Sequence, residues 1–238
     1  MWMRARRDWS GARSAPPAPC DRALDEIDAR VSRLFAVVVS GLGSATAAFL
    51  DGDPAAADEV IRGEVIIDDL HRDTEAMVSR QLRSVSAGIE ADVFGRLILA
   101  LRIVPELERS GDLVEHIAAR ASTRIAAHLS EHSVVLIREM SNVATELWQR
   151  AAGAFGGVDH STGEDLRLLD DALDDLHVQL CDELAASSLP VAVAIEMGLV
   201  ARFYERLGDH AVNVSRRIDE ESCQIIETLP IRAGESTP

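Results

Sequence analysis

The sequence predicts an all-α protein made of two tandem three-helix bundles, six long antiparallel helices related by an internal repeat. Apolar residues recur at intervals of three and four over six long segments, which is typical of amphipathic helices. Aromatic residues make up only 4% of the chain, which favours aliphatic helix packing over a β-sandwich or barrel. Because the connections between segments are short, sequential helices are expected to be antiparallel neighbours.

An acidic motif marks the internal repeat. The pattern Glu-Arg-x-Gly-Asp occupies residues 108–112 and again residues 205–209. Upstream of each copy, an acid is followed four residues later by Asp-Asp-Leu-His, at 64–71 and at 170–177. Both elements occur once per half and in the same order, which indicates a tandem duplication with a period of roughly a hundred residues.

The first half contains three predicted helices, over residues 21–50, from 54 to about 85, and from 89 to 129. The second helix is preceded by Asp53 and begins with a proline, a common pairing of N-cap and first helical position. Pro105 lies inside the third helix, where a proline removes one backbone hydrogen bond and predicts a kink.

The second half repeats this arrangement. Its first helix is predicted from Ser130 to about 155, and its second follows a capping-box pattern at 161–164. Its last helix is predicted from Pro190 to about 227. The predicted organisation is a disordered N-terminal tail (1–20), a first repeat (21–129), a second repeat (130–228) and a frayed C-terminal tail (229–238).

The charge balance excludes one class of function and favours others. The chain carries 24 basic side chains, all arginine, and 40 acidic ones, for a net charge of -16. Non-specific nucleic-acid binding needs a basic surface and is not expected. A strongly acidic surface suits cations or a basic protein partner.

Cysteine usage and hydropathy predict a cytoplasmic location. The chain has three cysteines and no Cys-x-x-Cys, so neither a disulfide framework nor a zinc knuckle is expected. The basic N-terminus is not followed by the apolar stretch of a signal peptide. Because no run of about 18 apolar residues is present, no transmembrane helix is expected.

The repeated acids are predicted to share helix faces that point away from the core. Residues four apart stack on one face of a helix, so each motif places two carboxylates side by side. Glu205, Asp209 and Asn213 lie nearly opposite the apolar side of the last helix. A solvated surface is the simplest interpretation of any one such pair.

The repetition favours a metal site over solvation alone. A glycine inside a helix costs up to about 1 kcal/mol, yet Gly111 and Gly208 recur, and each would allow a neighbouring helix to approach closely. Two adjacent helices would then bring four carboxylates together across a groove. Mg²⁺, Mn²⁺ and Ca²⁺ prefer such oxygen ligands, and imidazoles would extend the choice to Fe or Zn. His71, His116 and His177 are the candidate imidazoles.

These motifs resemble those of the PhoU family, whose signature is of the type Glu-Arg-x-x-Asp-x-x-x-Asn. Residues 205–213 match it in full, whereas the first half matches through Asp112 and has His116 where the second has Asn213. The resemblance covers roughly residues 21–225. Residues 88–96 depart from it, because they lack the proline and the Asp-Leu-Arg run that often open the third helix of the family.

The resemblance implies a cytoplasmic, non-enzymatic regulator of phosphate uptake and phosphate-starvation signalling. Such proteins connect the ATPase subunit of the phosphate-specific ABC transporter to a sensor histidine kinase, and damp the starvation response when phosphate is ample. Contact with the membrane would occur only through these partners. A homodimer is also expected.

Some family members carry metal clusters on the carboxylate motifs, which suggests two sites of Fe, Zn, Mn or Mg here. The implied ligands are Glu64, Asp68, Glu108 and Asp112 in the first half, and Asp170, Asp174, Glu205 and Asp209 in the second. Asn213 and His116 would be peripheral ligands or would hydrogen-bond to the ligands.

Three alternatives remain open. The chain could serve a secondary phosphate transporter instead of an ABC transporter, or its acids could be merely solubilising. Asp68-x-x-His71 and Asp174-x-x-His177 have the spacing of a carboxylate-bridged di-metal protein, but such proteins direct these groups into the bundle interior. No P-loop, dinucleotide-binding glycine pattern or nucleophile triad is present, so an ordinary enzyme is not expected.

Overall fold

Six α-helices form from the six apolar-periodic segments in the computed structural model, which describes residues 19–84, 91–158 and 163–228. We label the helices in chain order. They are α1 (Pro19–Asp51), α2 (Pro54–Ser84), α3 (Ala91–Ala119), α4 (Glu131–Gly156), α5 (Gly163–Ala186) and α6 (Val191–Thr228). No strand occurs among the described residues, and the all-α prediction is confirmed.

Two helix starts are fixed by capping side chains, as their sequences predict. The Asp53 carboxylate accepts hydrogen bonds from the backbone N–H groups of Ala55 and Ala56, at 2.9 and 3.2 Å. The Ser130 hydroxyl accepts from the Ser133 N–H at 3.0 Å. Each cap satisfies donors that the first turn of a helix leaves unpaired.

The third helix is shorter than predicted. It continues through Pro105 but ends at Ala119, whereas the periodicity suggested a helix to residue 129. Two 3₁₀ turns follow, over Arg120–Thr123 and Ile125–His128. Arg124, between them, has a φ of 50°, so one α-helix cannot extend to residue 129, because a left-handed residue cannot belong to it.

The helices pack as two three-helix bundles joined side by side. Helices α1, α2 and α3 pack against one another, and so do α4, α5 and α6. The two bundles meet where α1 lies against α4 and α3 against α6. Helices α2 and α5 therefore each pack mainly within their own bundle, on the outer sides of the molecule.

One apolar core runs through both bundles. It includes α1 residues such as Phe35 and α4 residues such as Trp148, whose rings lie 6.0 Å apart between centroids. A buried polar link crosses the same junction, because the Thr46 hydroxyl lies 2.8 Å from the hydroxyls of both Ser141 and Tyr204. These contacts join α1 to α4 and α6.

Helix α1 qualifies by length and composition as a membrane span over Arg22–Asp51, contrary to the expectation that no such segment exists. The expectation relied on an unbroken apolar run, whereas small residues also raise the mean hydropathy of this stretch. In the fold, α1 is a core helix, since it contacts α2, α3 and α4 and buries one side, from Leu24 to Phe49.

Several predictions lie outside the described residues. The predicted tails fall largely in residues 1–18 and 229–238, and the capping-box serine at 161 falls in residues 159–162. The predicted break between the second and third helices falls in residues 85–90. Among the described residues, Cys181 is a free, half-buried thiol.

Candidate functional site

The repeated acids come together at two equivalent seams, one between α2 and α3 and the other between α5 and α6. We call Glu64, Asp68, Glu108 and Asp112 the first acidic cluster. We call Asp170, Asp174, Glu205 and Asp209 the second acidic cluster. In each cluster one helix supplies the acid-x-x-x-Asp pair and its neighbour supplies the Glu and Asp of the Glu-Arg-x-Gly-Asp motif.

Glycine determines how closely the two helices of each seam approach. A Cβ placed on Gly111 would lie 2.6 Å from Ile67 Cδ1, and one on Gly208 would lie 2.7 Å from Leu173 Cδ2. Neither distance is compatible with van der Waals packing. The Cβ placed on Gly208 would also lie 2.9 Å from Asp170 Oδ1. The predicted close approach is therefore present, and it brings Asp170 alongside α6.

The first acidic cluster is an electrostatically coupled group. Burial, followed by the nearby carboxylate of Asp68, raises the pKa of Glu64 to about 7, with Glu115 and Asp112 contributing from α3. Burial and Asp112 also raise the pKa of Glu108. Like charges held together and partly shielded from water favour protonation, or neutralisation by a cation.

The second acidic cluster behaves in the same way. Burial, then Asp174, then Asp209 of the facing helix raise the pKa of Asp170 to about 6. Burial and then Asp209 raise the pKa of Glu205, and Asp174 across the seam also raises it. The two halves of the chain therefore build matching clusters, each from two helices.

Most of the acids are less exposed than predicted for helix faces that point away from the core. Glu205 has a side-chain exposure of only 13%, and six of the eight cluster acids are half-buried, with Asp174 and Asp209 exposed. The apolar periodicity of α6 predicts one buried face. That helix instead contacts α3, α4 and α5, so the flank that carries Glu205 is also covered.

One carboxylate oxygen in the second cluster is distinguished by its burial. Glu205 Oε2 is buried and has no hydrogen-bond partner among the described residues, although the other oxygen pairs with Arg202. A buried carboxylate oxygen without a partner is costly. Hard oxygen donors of this kind fit the divalent or trivalent cations that the family resemblance implies.

The side chains do not form a finished metal site as they stand. Within residues 19–84, 91–158 and 163–228, no group of three or more His, Cys, Asp or Glu side chains is arranged to hold a metal ion. A cation at either seam would therefore require these side chains to rotate towards it. The ligand assignments remain predictions.

The candidate imidazoles occupy unequal positions in the fold. Burial raises the pKa of Glu108 and of Glu205, and a nearby histidine offsets part of each rise. That histidine is His71 for Glu108 and His177 for Glu205. His116 instead stacks on Phe203 of α6, with ring centroids 5.5 Å apart. The repeated Asp-Leu-His element is thus a better guide to the seam histidines than the position of His116.

Some residues near the clusters were not predicted from sequence. Glu115 lies close to Glu64, and Arg202 pairs with Glu205. The sequence spacing could have identified both. Glu115 is three residues after Asp112, and Arg202 is three residues before Glu205, so each lies on the same helix face as its cluster acid. Asn213 is half-buried, and its side-chain oxygen lies 3.5 Å from an Arg216 nitrogen that donates to it.

A buried charge network lies between the two seams, at the contact of α3 with α6. Glu106, with a side-chain exposure of 9%, is 2.6 Å from His210 Nδ1 and 2.9 Å from an Arg217 nitrogen. Arg217 also donates a hydrogen bond to the Arg102 carbonyl. This carbonyl lies in the helical turn of Pro105, which has no backbone N–H to donate. Glu106 and His210 are near neighbours in sequence of the two repeated motifs.

Comparison with known proteins agrees with this architecture. The family model of the PhoU domain matches residues 31–121 and 137–218, one segment in each half. The phosphate-specific transport system accessory protein PhoU homolog 2 of Mycobacterium tuberculosis is 32% identical over 203 residues, covering 82% of this chain and 92% of the relative. The corresponding homolog 1 of Mycobacterium leprae is also 32% identical, over 206 residues, with coverage of 82% and 88%.

Solved structures share the fold. The crystal structure of PhoU from Pseudomonas aeruginosa aligns with a TM-score of 0.77 at 20% identity, covering 86% of this chain and 99% of that one. The phosphate transport system regulatory protein PhoU from Streptococcus pneumoniae aligns with a TM-score of 0.71 at 17% identity, with coverage of 86% and 97%. Together, the two matched segments, the relatives and the shared fold show that the chain belongs to the PhoU family.

Proposed function

We propose that this chain is a non-enzymatic accessory and regulatory protein of phosphate transport. The observation that carries the proposal is the paired match of both halves to the PhoU domain, supported by relatives named as accessory proteins of a phosphate-specific transport system. The helices that carry the matched segments share a single apolar core. Such a scaffold suits an adaptor that presents surfaces to partners.

The proposed partners are the ATPase subunit of the phosphate-specific ABC transporter and a sensor histidine kinase. In this proposal the chain is cytoplasmic, reaches the membrane only through these partners, and acts as a homodimer. It restrains the phosphate-starvation response while phosphate is ample. The net charge of -16 favours basic docking surfaces on those partners.

The two acidic clusters are the proposed metal sites, with Fe, Zn, Mn or Mg as candidate ions. Raised pKa values at Glu64, Glu108, Asp170 and Glu205 support this role, because burial and then mutual repulsion disfavour their charge, and a bound cation would offset both effects. A metal there would tie α2 to α3 and α5 to α6 and so fix the shape of each seam surface. Binding should strengthen as pH rises and the carboxyls lose their protons.

A gene deletion in the host organism tests the regulatory role. Deletion is expected to switch on phosphate-starvation genes in phosphate-rich medium, and re-expression of the wild-type chain should restore repression. Unchanged expression of those genes in the deletion strain would contradict the proposal. The expression of an unrelated nutrient-starvation regulon serves as the control for general stress.

A binding experiment distinguishes the two classes of transporter. The purified chain is expected to bind the ATPase subunit of the phosphate-specific ABC transporter of the same organism, but not the ATPase of an unrelated ABC importer. Binding to a secondary phosphate transporter in place of this ATPase would support the alternative partner and contradict the ABC-transporter assignment.

A further inference from the structure

A cleft lies between α1 and α2, beside the first acidic cluster, and Gly111 and Val114 of α3 also line it. Its volume is about 420 Å³. Small residues of α1, including Gly41, Ser44 and Ala47, form one wall, and Val60 and Gly63 of α2 form part of the other. Because these side chains are short, they leave an open trough where two ordinary helices would interdigitate.

The cleft is apolar at its floor and acidic along its edges. Asp51, Asp53, Glu59 and Glu64 line it, and none of the described lining side chains is basic. The Asp53 carboxylate is engaged in capping α2, but Asp51 and Glu59 are exposed. An occupant would therefore combine a large apolar group with positive charge.

The first 18 residues of this chain have that chemistry. They contain Trp2 and Trp9, two of the three tryptophans in the whole sequence. They also contain four arginines (Arg4, Arg6, Arg7 and Arg13) and one aspartate (Asp8), for a net side-chain charge of +3 in a chain whose total is -16. Opposite charge on one chain favours intramolecular docking at high effective concentration.

The length of the segment matches the distance to the cleft. From Pro19, where α1 begins, to Gly41 the helix rises about 33 Å at 1.5 Å per residue. The ten residues from Trp9 to Pro19 span about 33 Å when extended. A segment that reverses at Pro19 and runs back along α1 would thus bring Trp9 to the near end of the cleft, at Val37, and Arg4, Arg6 and Arg7 would lie nearer Asp51 and Glu59.

We propose that residues 1–18 dock in the α1–α2 cleft of the same chain, with Trp9 in the trough and the arginines at its acidic edges. The segment would cover a surface that includes Glu64 of the first acidic cluster, so it would mask this half of the molecule and not the other. This inference depends on the cleft and the segment, and it stands whether or not the proposed metal sites and partners are correct.

Tryptophan quenching by acrylamide tests the proposal in the full chain. Trp148 is fully buried, so quenching of the native protein reports mainly on Trp2 and Trp9. Weak quenching is expected in the wild type. At least a twofold increase in the quenching constant is expected for Ala47→Arg and for Glu59→Arg, both exposed positions in the cleft, and also in 1 M salt, which screens the ion pairs.

The control is Glu139→Arg, which makes the same charge change on an exposed position of α4 outside the cleft. It should leave quenching at the wild-type level. Equal quenching in the wild type and in both cleft variants would overturn the proposal, whether the tryptophans are exposed or protected in all three. Protection that grows with protein concentration would place the segment in the cleft of a second copy, and would likewise overturn it.

Discussion

Individual carboxyl groups in the two clusters are held in a state that disfavours their charge. Glu64 has a pKa of about 7 in the fold, against an ordinary value of 4.5, and Asp170 has a pKa of about 6, against 3.8. In both cases burial is the largest cause, and the neighbouring acids of the motif add to it. Between the ordinary and the raised pKa, the folded chain therefore binds more protons than the unfolded chain.

This difference predicts a specific pH dependence. Stability contributed by a carboxyl with a raised pKa is fully present below its unfolded value and is lost as pH rises through its folded value. The melting temperature of the metal-free protein should therefore fall from pH 4.5 to pH 7. The decrease should be smaller in Glu64→Gln/Asp170→Asn.

Thermal unfolding in chelator across this pH range measures the effect. Glu139→Gln, an exposed acid of α4 away from both clusters, is the control and should keep the wild-type slope. An identical slope in the double variant would contradict the assignment of raised pKa values to these two groups.

A second residue-scale feature is the buried acid between the seams. Glu106 is buried and pairs with both His210 and Arg217, so Glu106→Ala leaves these two half-buried side chains without their shared carboxylate. Breaking a buried ion pair from one side costs about 3–5 kcal/mol, and chemical denaturation should report a loss of this size.

An exposed pair at the same interface supplies the matched comparison. Arg102 and Glu220 are 3.1 Å apart, with side chains that are 41% and 37% exposed, so Glu220→Gln should leave the free energy of unfolding nearly unchanged. A loss for Glu106→Ala as small as that for Glu220→Gln would mean that the buried network does not stabilise the α3–α6 contact.

The glycines of the motif allow the two helices of each seam to pack closely. Alanine normally stabilises an exposed helix by up to about 1 kcal/mol relative to glycine. A Cβ at position 111 or 208 would overlap a terminal methyl group of Ile67 or Leu173. Both side chains are buried in the core, and relief of overlap in a packed core costs about 1–3 kcal/mol. Gly111→Ala and Gly208→Ala are therefore expected to lower the melting temperature.

The control lies in the same helix as Gly208. A Cβ added to Gly198 in α6 would meet nothing within 4 Å, so Gly198→Ala should raise the melting temperature. If Gly111→Ala and Gly208→Ala stabilised the protein as much as Gly198→Ala does, the close approach of the seam helices would not depend on glycine.

The helices themselves could be predicted from the sequence, because their apolar stripes and caps are local signals. Asp53 and Ser130 start their helices where the sequence indicates. The end of α3 could not be predicted, because Arg124 adopts a left-handed conformation without the glycine or asparagine that normally marks one.

The acid pairs on single helices were likewise predictable from their spacing of four. The depth of Glu205 was not, because it depends on three helices packing around α6. The choice of seam histidines also needed the fold, since His116 has motif spacing but stacks on Phe203 of another helix. Local patterns predict which face of a helix a residue occupies. The burial and the neighbours of that residue depend on which other helices pack against the face.

The two repeats share one apolar core. Residues of both bundles contribute to it, and Phe35 of the first contacts Trp148 of the second. The free energies of the two halves are therefore coupled, and the chain should unfold in a single transition despite its internal duplication.

Equilibrium denaturation of a Trp2→Phe/Trp9→Phe variant tests this expectation, with Trp148 emission and far-ultraviolet circular dichroism recorded together. Trp148 reports on the junction between bundles, and dichroism reports on all helices. The two curves should coincide. A separate early transition in either signal would mean that the halves are independent domains.

The metal content of the protein decides whether the repeated acids are ligands, provided that it is purified without chelator or affinity-tag metal under iron-, zinc-, manganese- and magnesium-replete conditions. Three variants accompany it: Glu108→Gln/Asp112→Asn in the first cluster, Glu205→Gln/Asp209→Asn in the second, and all four changes together. Circular dichroism verifies that each variant keeps its helices. We predict stoichiometric metal in the wild type, about half of it in each double variant, and none in the quadruple variant. Metal that persists in the quadruple variant, or no metal in any of the proteins, would contradict the claim that the repeated acids are ligands.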